Sequence, residues 1–569
     1  MKKKWVYPDQ PDQQLVDNLA AAINVNQYLG QILVQRGIST FDEAKAFFRP
    51  SLKKLHDPFL MADMAKAVDR LNNALFNKEK VLIYGDYDVD GTTAVSLMYR
   101  FLKDHNHESV SYYVPDRYDE GYGISEIGIK WAHENNFTLV IALDCGIKAF
   151  KNATLAKDLG IDLIICDHHL PGDELPDAFA ILDPKREDCT YPFDGLCGCG
   201  VGFKFLQAFC EQNTIDQNEL YAYLDLVAVS IASDLVPIVD ENRILTYYGL
   251  QKLSKSPSQG LNALKGISGL KNDVDIQGIV FGIGPRINAA GRIDHARDAV
   301  RLLVANDQEE AKAIAAKVNK NNTVRKDFDK DITLEALISI DESEELKSRK
   351  STVLYNADWH KGVIGIVASR CIEKYYRPTI ILTQSNGKAT GSARSVEGFD
   401  IYEAIASCSE LLEQYGGHKF AAGLTMSIDN IEAFQQKFEE EVTKVITEDI
   451  LTPKINVDCD LPIEKVDFKF FNILNQLGPF GPGNMEPIFS SSELVLVGQP
   501  KIMKDVHMKF YVRHKDGKQS YEALAFGMAD MKDELIKSES IKLAYHLQKT
   551  TYMGNSSLQL MVKDICAER

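Results

Sequence analysis

One stretch limits the folds open to this chain. Val81-Leu82-Ile83-Tyr84 is a short apolar run of strand type, followed by Gly85. Asp86, Asp88 and Asp90 then stand at every second position before Gly91-Thr92. The residues after it, Thr93, Ala94, Val95, Leu97, Met98, Phe101 and Leu102, recur at helical spacing. Three carboxylates therefore sit where a buried strand ends and a helix begins. In an open α/β sheet that edge is where ligands bind. Crowded carboxylates repel one another unless cations neutralise them, and hard divalent cations favour carboxylate oxygen. A polar strand-to-helix loop with acidic caps is the plainer alternative. A calcium loop does not fit, because its twelfth position counted from Asp86 is Leu97 rather than glutamate.

The same pattern recurs downstream. Val110–Val114, Leu139–Leu143, Ile161–Cys166 and Ala178–Leu182 read as further strands, separated by helical segments. Continuous apolar strands alternating with helices predict a parallel sheet covered on both faces, hence an α/β fold. Four of the five strands end in aspartate: the Asp86 cluster, Asp144, Asp167-His168-His169 and Asp183. One such ending is a turn residue; several on one edge can converge on a point. An apolar helix over Leu224–Asp234 adds Asp225, expected to cap or face solvent, and Asp234, placed to turn toward that point. His168 and His169 are adjacent and point different ways, so one is an easy metal ligand and the other is left for substrate or acid chemistry. The assembled set is Asp88, Asp90, Asp144, His168 and Asp234, with Asp86 nearby. A carboxylate-rich set with one imidazole suits Mn²⁺ or Mg²⁺ better than zinc. Enough carboxylates for two ions point to in-line phosphoester hydrolysis.

The remaining chain divides by pattern. Residues 1–64 read as a helical cap on the main domain, and 65–250 as the parallel-sheet domain. Residues 251–345 form a connecting region. It holds the glycine-rich stretch Phe281–Arg292, whose Arg286 and Arg292 suit phosphate, and one long helix from Asp298 to about residue 340. Residues 346–450 read as a smaller α/β unit with a glycine-led helix start at His360–Arg370. Its turns at Gly391–Ser395 and Gly416–Gly423 bring amides, hydroxyls and an arginine fork to an anion. With the first site they suggest a two-lobed enzyme gripping a phosphorylated substrate. Residues 451–569 carry short strands behind the turn-rich connector Leu477–Asn484 and fit a small barrel of the oligonucleotide-binding (OB) type. Tyr511, Tyr521 and Tyr552 are available there to stack on bases, although strand aromatics more often pack.

Bulk numbers bound the partners. The chain of 569 residues is too long for one core. Its net charge of −17 argues against a general polyanion-coating protein, while leaving room for a local basic channel. Ten cysteines without a framework suggest a reducing compartment. Cys197-Gly198-Cys199 is the one close pair and reads as a tight turn rather than a zinc site. Met1-Lys2-Lys3-Lys4 leads into no apolar signal region, and no run approaches membrane-spanning length, so the expected location is the cytoplasm, without a membrane partner.

An ordered set of motifs carries a family resemblance. Tyr84–Thr92 (YGDYDVDGT), Leu143–Gly146 (LDCG), Asp167–His169 (DHH), Ser230–Pro237 (SIASDLVP) and Gly284–Arg292 (GPRINAAGR) are followed by His360–Arg370, Gly391–Ser395, Gly416–Gly423 and Leu477–Asn484. In this order, over nearly the whole chain, they resemble the RecJ family, the single-strand-specific exonucleases of the DHH phosphoesterase superfamily. The resemblance implies a DHH domain and a DHHA1 domain joined by a long helix, and a C-terminal OB barrel. It implies processive 5′→3′ degradation of single-stranded DNA with a 5′ end to mononucleotides, Mn²⁺ or Mg²⁺ as cofactor, and a place in DNA repair and recombination. A single-strand-binding protein and a helicase are the partners it suggests, and a monomer the expected state. Carried over by position, Asp88, Asp90, Asp144, His168 and Asp234 look like metal ligands, with Asp86 an additional one. Asp167 looks like a group that orients its neighbours, and His169 like a substrate contact. Arg117, Ser392 and Arg394 look like 5′-phosphate contacts, and Arg286 and His418 like further phosphate or strand contacts. Tyr84 stands where some superfamily members carry a histidine ligand, which would leave one metal site weaker or completed by Asp86. Cys197 and Cys199 replace small apolar residues, which suggests packing. The alternative is a DHH phosphodiesterase of short oligonucleotides or cyclic dinucleotides, and a third reading is a DNA-binding scaffold without metals.

Overall fold

The computed structural model describes residues 3–271 and 273–568, without the side chains of residues 552 and 568. Met1 and Lys2 of the basic N-terminal run therefore lie outside it. The chain forms two units, one of Pro50–Asp331 with Pro479–Asn484, the other of Met1–Arg49, Ile332–Gly478 and Met485–Arg569.

The first unit is built on a five-stranded parallel sheet in the order Val110–Tyr113, Val81–Gly85, Leu139–Leu143, Asp162–Cys166, Ala180–Leu182. The strands are apolar without interruption because both faces are covered. Val81, Ile83, Leu139, Ile141 and Ile164 enter one core, while Leu82, Tyr84, Val140, Leu163 and Ile165 enter the other. That split follows from the two-residue period of a strand. Each fully buried aliphatic side chain contributes about 1.5–3 kcal/mol, so the sheet is the rigid part of the unit. The strand order reverses between Val81–Gly85 and Leu139–Leu143, and the crevice at such a reversal is the place for a ligand.

The glycine-rich stretch is helical: a π-helical turn, Ile279–Ile283, runs into the helix Gly284–Ile293. Its glycines permit contacts within the protein; a Cβ on Gly291 would lie 3.2 Å from the Tyr87 carbonyl. The single long helix is two, Arg297–Val304 and the 35-residue Gln308–Glu342. Asp307 accepts the Glu310 amide at 2.8 Å, so a side-chain cap starts the second helix where the first has ended. At 1.5 Å per residue the second spans about 50 Å.

The second unit holds a mixed five-stranded sheet ordered Gln414–His418, Ala421–Met426, Lys388–Arg394, Thr379–Ser385, Thr352–Tyr355. It also holds a barrel of Phe489–Met503, His507–His514, Tyr521–Ala525, Asn555–Glu568 and Ser540–Tyr552, closed by pairing the last with the first. The expected turns at Gly391–Ser395 and Gly416–Gly423 are largely strand. Ahead of the connector stand two short strands, Lys454–Asn456 and Cys459–Asp460.

The N-terminal segment differs from the expected cap on the main domain. Its helices Gln13–Ile23, Gln27–Gln35 and Phe41–Phe48 belong to the second unit. Lys4–Val6 pairs in parallel with Lys454–Asn456, and Trp5 Nε1 donates to Asp564 at 2.8 Å. Backbone pairing of so short a strand leaves little periodic signal in sequence. The connector residues Pro479–Asn484 join the first unit, where the Ile238 amide donates to the Pro482 carbonyl at 2.6 Å. No helix among the described residues is long and apolar enough to cross a membrane.

Candidate metal centre

Five elements of the first unit deliver the acidic and imidazole groups to one edge of the parallel sheet. Asp86 and Asp88 follow the strand Val81–Gly85, and Asp88 caps the helix Val89–Asp104 by accepting the Gly91 amide at 3.0 Å. Asp90 lies in that helix's first turn. Asp144 ends Leu139–Leu143 in the left-handed region, with φ of 61°, a conformation that costs a residue other than glycine unless its surroundings impose it. His168 follows Asp162–Cys166, and Asp234 caps the C-terminal end of Leu224–Ser233.

These groups meet in three sets. One of them, Asp144 with His168 and His169, links the other two and brings both adjacent histidines to one point rather than pointing them apart. Asp86, Asp88 and Asp144 bring donor atoms within 4.8 Å of one another, as do Asp90, His168 and Asp234. His168 Nε2 joins the sets, 3.2 Å from Asp144 Oδ1, 3.6 Å from Asp234 Oδ2 and 3.7 Å from Asp90 Oδ2. Electrostatics record the crowding. Burial, then Asp88, pushes the Asp86 carboxyl well up; burial, then Asp90, raises Asp88. Asp144 is raised by burial and by Asp90, Asp88, Asp234 and Asp86 in turn. Asp234 is pushed up to about 8 by burial and then by Asp90. Burial lowers His168.

Asp167 has a different environment. Its Oδ1 accepts the His168 amide at 2.8 Å and pairs with His169 Nδ1 at 2.8 Å, while its Oδ2 accepts the Ile147 amide at 2.9 Å. Burial alone would raise it, but the hydrogen bond from His169, with that ring's charge and the Ile147 amide, outweighs burial and holds it at about 2. Against the same burial, that bond raises His169. Thus Asp167 orients the loop, and His169 carries a proton readily.

Other expected residues fall in different places. Arg117 stacks over the Tyr87 ring at 4.9 Å and lowers Asp86 electrostatically. Arg286 spends its donors on Asn319 Oδ1 at 2.9 Å and the Gly282 carbonyl at 2.6 Å, so its fork is engaged within the protein. Tyr84 is buried, donates to the Gly123 carbonyl at 3.1 Å and stacks on Tyr113, which places its hydroxyl on the loop rather than in either acidic set. Asp225 is buried and accepts the Ser258 amide at 2.7 Å, in place of the expected capping or solvent-facing role. Cys197 caps the helix Gly198–Gln212 through its sulfur, which accepts the Gly200 amide at 3.2 Å. Sequence reasoning missed Tyr122, whose hydroxyl lies 3.3 Å from His169 Nε2, and Lys185, which donates to the His168 carbonyl at 2.5 Å. Neither belongs to a pattern that sequence makes visible.

In the second unit, Ser392 and Arg394 lie on one face of the strand Lys388–Arg394. Arg394 pairs with Ala421, which pairs with His418; Ser392 pairs with Gly423, which pairs with Gly416. His418 and Arg394 thus flank one small residue on a common face, and Ser392 looks onto bare glycine. Arg394 donates to Ser392 Oγ at 3.1 Å. In the barrel, Tyr511 is half-exposed and donates to Glu522 at 2.6 Å, whereas Tyr521 is buried and donates to the Val466 carbonyl, a packing role. The Tyr552 side chain lies outside the described residues.

The comparison with known proteins covers all of these parts. Residues 80–231 match the DHH family N-terminal domain, 349–444 the DHHA1 domain and 457–564 the RecJ OB domain. The single-stranded-DNA-specific exonuclease RecJ of Bacillus subtilis is 34% identical over 567 residues, covering 99% of this chain and 71% of its own length. The chain belongs to the RecJ family. The RecJ of Escherichia coli is 30% identical over 94% of this chain and 95% of its own length. The crystal structure of Thermus thermophilus RecJ in complex with Mn²⁺ matches with a TM-score of 0.85 at 27% identity, covering all of this chain and 80% of that one. The Mg²⁺ complex matches with a TM-score of 0.79. The residues of this RecJ-family chain fit such ions. Both ring nitrogens of the buried His168 and Oδ1 of the buried Asp86 have no hydrogen-bond partner among the described residues, a costly state for buried polar atoms unless something else binds them. The donors are nearly all carboxylate, the set that hard divalent cations prefer.

Proposed function

We propose that this chain is a metal-dependent 5′→3′ exonuclease that hydrolyses single-stranded DNA to 5′-mononucleotides, acting in DNA repair and recombination in the cytoplasm. The observation that carries the reading is the pair of ligand sets, Asp86 with Asp88 and Asp144, and Asp90 with His168 and Asp234, held side by side at the sheet edge with His168 Nε2 3.2 Å from Asp144 Oδ1. Asp86, Asp88 and Asp144 would hold one Mn²⁺ or Mg²⁺ ion, and Asp90, His168 and Asp234 a second. Bound there, such ions supply positive charge to the phosphate oxygens and activate water. His169, held by Asp167, is the substrate contact. Its raised proton affinity lets it stabilise the charge that builds on the phosphate as water adds to phosphorus and the bond to the 3′ oxygen breaks. Within the first unit Arg117 is a phosphate contact and Arg286 supports the helix it stands on; within the second, Ser392, Arg394 and His418 are phosphate or strand contacts. The barrel offers a platform for a longer strand, which small-substrate phosphodiesterases do not need. The domains we assign are 1–64, 65–250, 251–345, 346–450 and 451–569. The protein acts as a monomer, with a single-strand-binding protein and a helicase as partners.

The test is a long single strand labelled at either end and incubated with Mn²⁺. Mononucleotides released progressively from the 5′ end are expected. Rapid cleavage of dinucleotides with the long strand untouched would replace this reading with the short-substrate one.

A further inference from the structure

Asp90 differs from the other acidic groups of the cluster in that both of its oxygens accept hydrogen bonds from distant chain segments. Its Oδ1 accepts the Cys199 amide at 2.7 Å and the Ser230 hydroxyl at 2.6 Å, and its Oδ2 accepts the Gly198 amide at 2.6 Å. The amides are the first of the helix Gly198–Gln212, whose N-terminal end favours an anion. Ser230 is fully buried one helical turn before Asp234, and its Oγ lies 3.0 Å from Cys197 Sγ. A serine hydroxyl has one proton to give, and the shorter contact takes it to Asp90. The same helix start is pressed on the cluster: a Cβ on Gly198 would lie 2.5 Å from the Asp144 Cβ.

We propose that Ser230 is a positioning residue that fixes Asp90 as a one-oxygen metal ligand. With two donors on Oδ1, only Oδ2 retains a direction open to the cluster, and it is Oδ2 that faces His168 Nε2 at 3.7 Å. The hydroxyl thereby sets which oxygen Asp90 presents to the cluster. This rests on the proposed metal site, and it extends that site to a group that touches neither ion nor DNA.

The experiment is a Mn²⁺ titration without DNA, read by the electron paramagnetic resonance signal of free Mn²⁺, on the full chain and its Ser230→Ala, Ser230→Cys and Ser230→Thr variants. Groups that orient a metal ligand are worth about 10–100-fold in affinity. Ala removes the donor, and Cys, close in size, weakens it should Ala fold poorly; both are expected to bind Mn²⁺ about tenfold or more less tightly. Thr keeps the hydroxyl and should stay near the parent. Melting in EDTA checks the fold, and saturating Mn²⁺ should return hydrolysis by Ala or Cys to within several-fold of the parent. Unchanged Mn²⁺ affinity in Ala and Cys, or activity that saturating Mn²⁺ does not restore, would overturn the proposal. A parent chain that binds no Mn²⁺ would instead sink the metal-site reading on which it rests.

Discussion

The carboxylate edge of the parallel sheet and the arginine-bearing face of the mixed sheet are built on opposite electrostatic plans. At the first, Asp86, Asp88, Asp90, Asp144 and Asp234 gather around His168 from segments up to about 150 residues apart, and burial raises four of the five carboxyls. At the second, Ser392 and Arg394 come from one strand and remain partly exposed. The difference teaches that the first site is incomplete as a set of charges without cations, whereas the groups proposed for the phosphate stand half-exposed on a strand and do not depend on a cation. Substitutions and pH should therefore act on the two sites in different ways.

The largest effect is expected from Asp144→Asn. Asparagine tolerates the left-handed backbone at this position better than alanine does, so the substitution removes charge while keeping the turn. Hydrolysis should fall on the order of a thousandfold or more, because the charge stabilisation of the transition state depends on the ions it helps to hold. In EDTA the same variant should melt higher than the parent, because one of the mutually repelling buried carboxylates is gone. A lower melting temperature would show that the charges are not frustrated without metal.

Next is the pH dependence of the metal-free protein. Asp86, Asp88, Asp144 and Asp234 hold their protons in the folded state to higher pH than in the unfolded chain, where they titrate near 3.8. From about 4 up to about 8, the value for Asp234, the folded state binds more protons, so stability falls as pH rises. His169, raised by its bond to Asp167, adds to the fall as pH passes through its folded value. His168, with His107, His360 and His546, is lowered by burial and acts with the opposite sign below about 6.5, while Asp183, pushed up to about 7 by burial, adds to the four carboxylates. Melting in EDTA should therefore decline from pH 5 to pH 8, and added Mn²⁺ should flatten or reverse the decline because binding needs deprotonated ligands. A flat EDTA series would contradict the crowding.

Arg394→Ala tests the other plan. A hydrogen bond to a charged group contributes about 1.5–3 kcal/mol, so preference for a 5′-phosphorylated strand over a 5′-hydroxyl strand should fall about tenfold to a hundredfold. The maximal rate should change little, and so should melting in EDTA. Equal loss on both strands would remove Arg394 from the phosphate contact.

How far each site was legible in sequence follows from the same contrast. The parallel sheet could be read because strands buried on both faces are apolar throughout, and Leu139–Leu143 came out with the bounds expected for it. Asp88, Asp90, Asp144, His168 and Asp234 could be listed because each follows such a strand or ends an apolar helix. The partners of Asp90 could not: Ser230 is 140 residues away and Gly198 is 108 away, and a pairing across that distance leaves no local period. The glycine-rich segment was legible as a place of close approach but not as a helix: Gly284 and Gly291 are small because the helix packs against Ser233 and the Tyr87 carbonyl. The serine–arginine strand was visible as a motif, yet read as a turn, because alternation over Gly391–Arg394 is too short to declare a strand.

Gly365 gives the smallest effect and the sharpest comparison. It lies in the first turn of the helix Ile364–Lys374. A Cβ there would lie 2.8 Å from a terminal nitrogen of Arg394 and 2.8 Å from Ser392 Oγ. Both are ends of side chains that can swing away, so Gly365→Ala displaces the anion-binding groups without disturbing backbone. Alanine also suits a helix better than glycine by about 0.8–1 kcal/mol. The variant should therefore melt at or slightly above the parent while its preference for a 5′-phosphate drops several-fold, a smaller loss than in Arg394→Ala because the guanidinium is moved rather than removed. The corresponding change in the first unit, Gly198→Ala, brings a methyl within 2.7 Å of the Asp144 backbone, which cannot swing away. It should cost both stability and activity. If Gly365→Ala behaves as Gly198→Ala does, the two sites are equally rigid and the contrast between them fails.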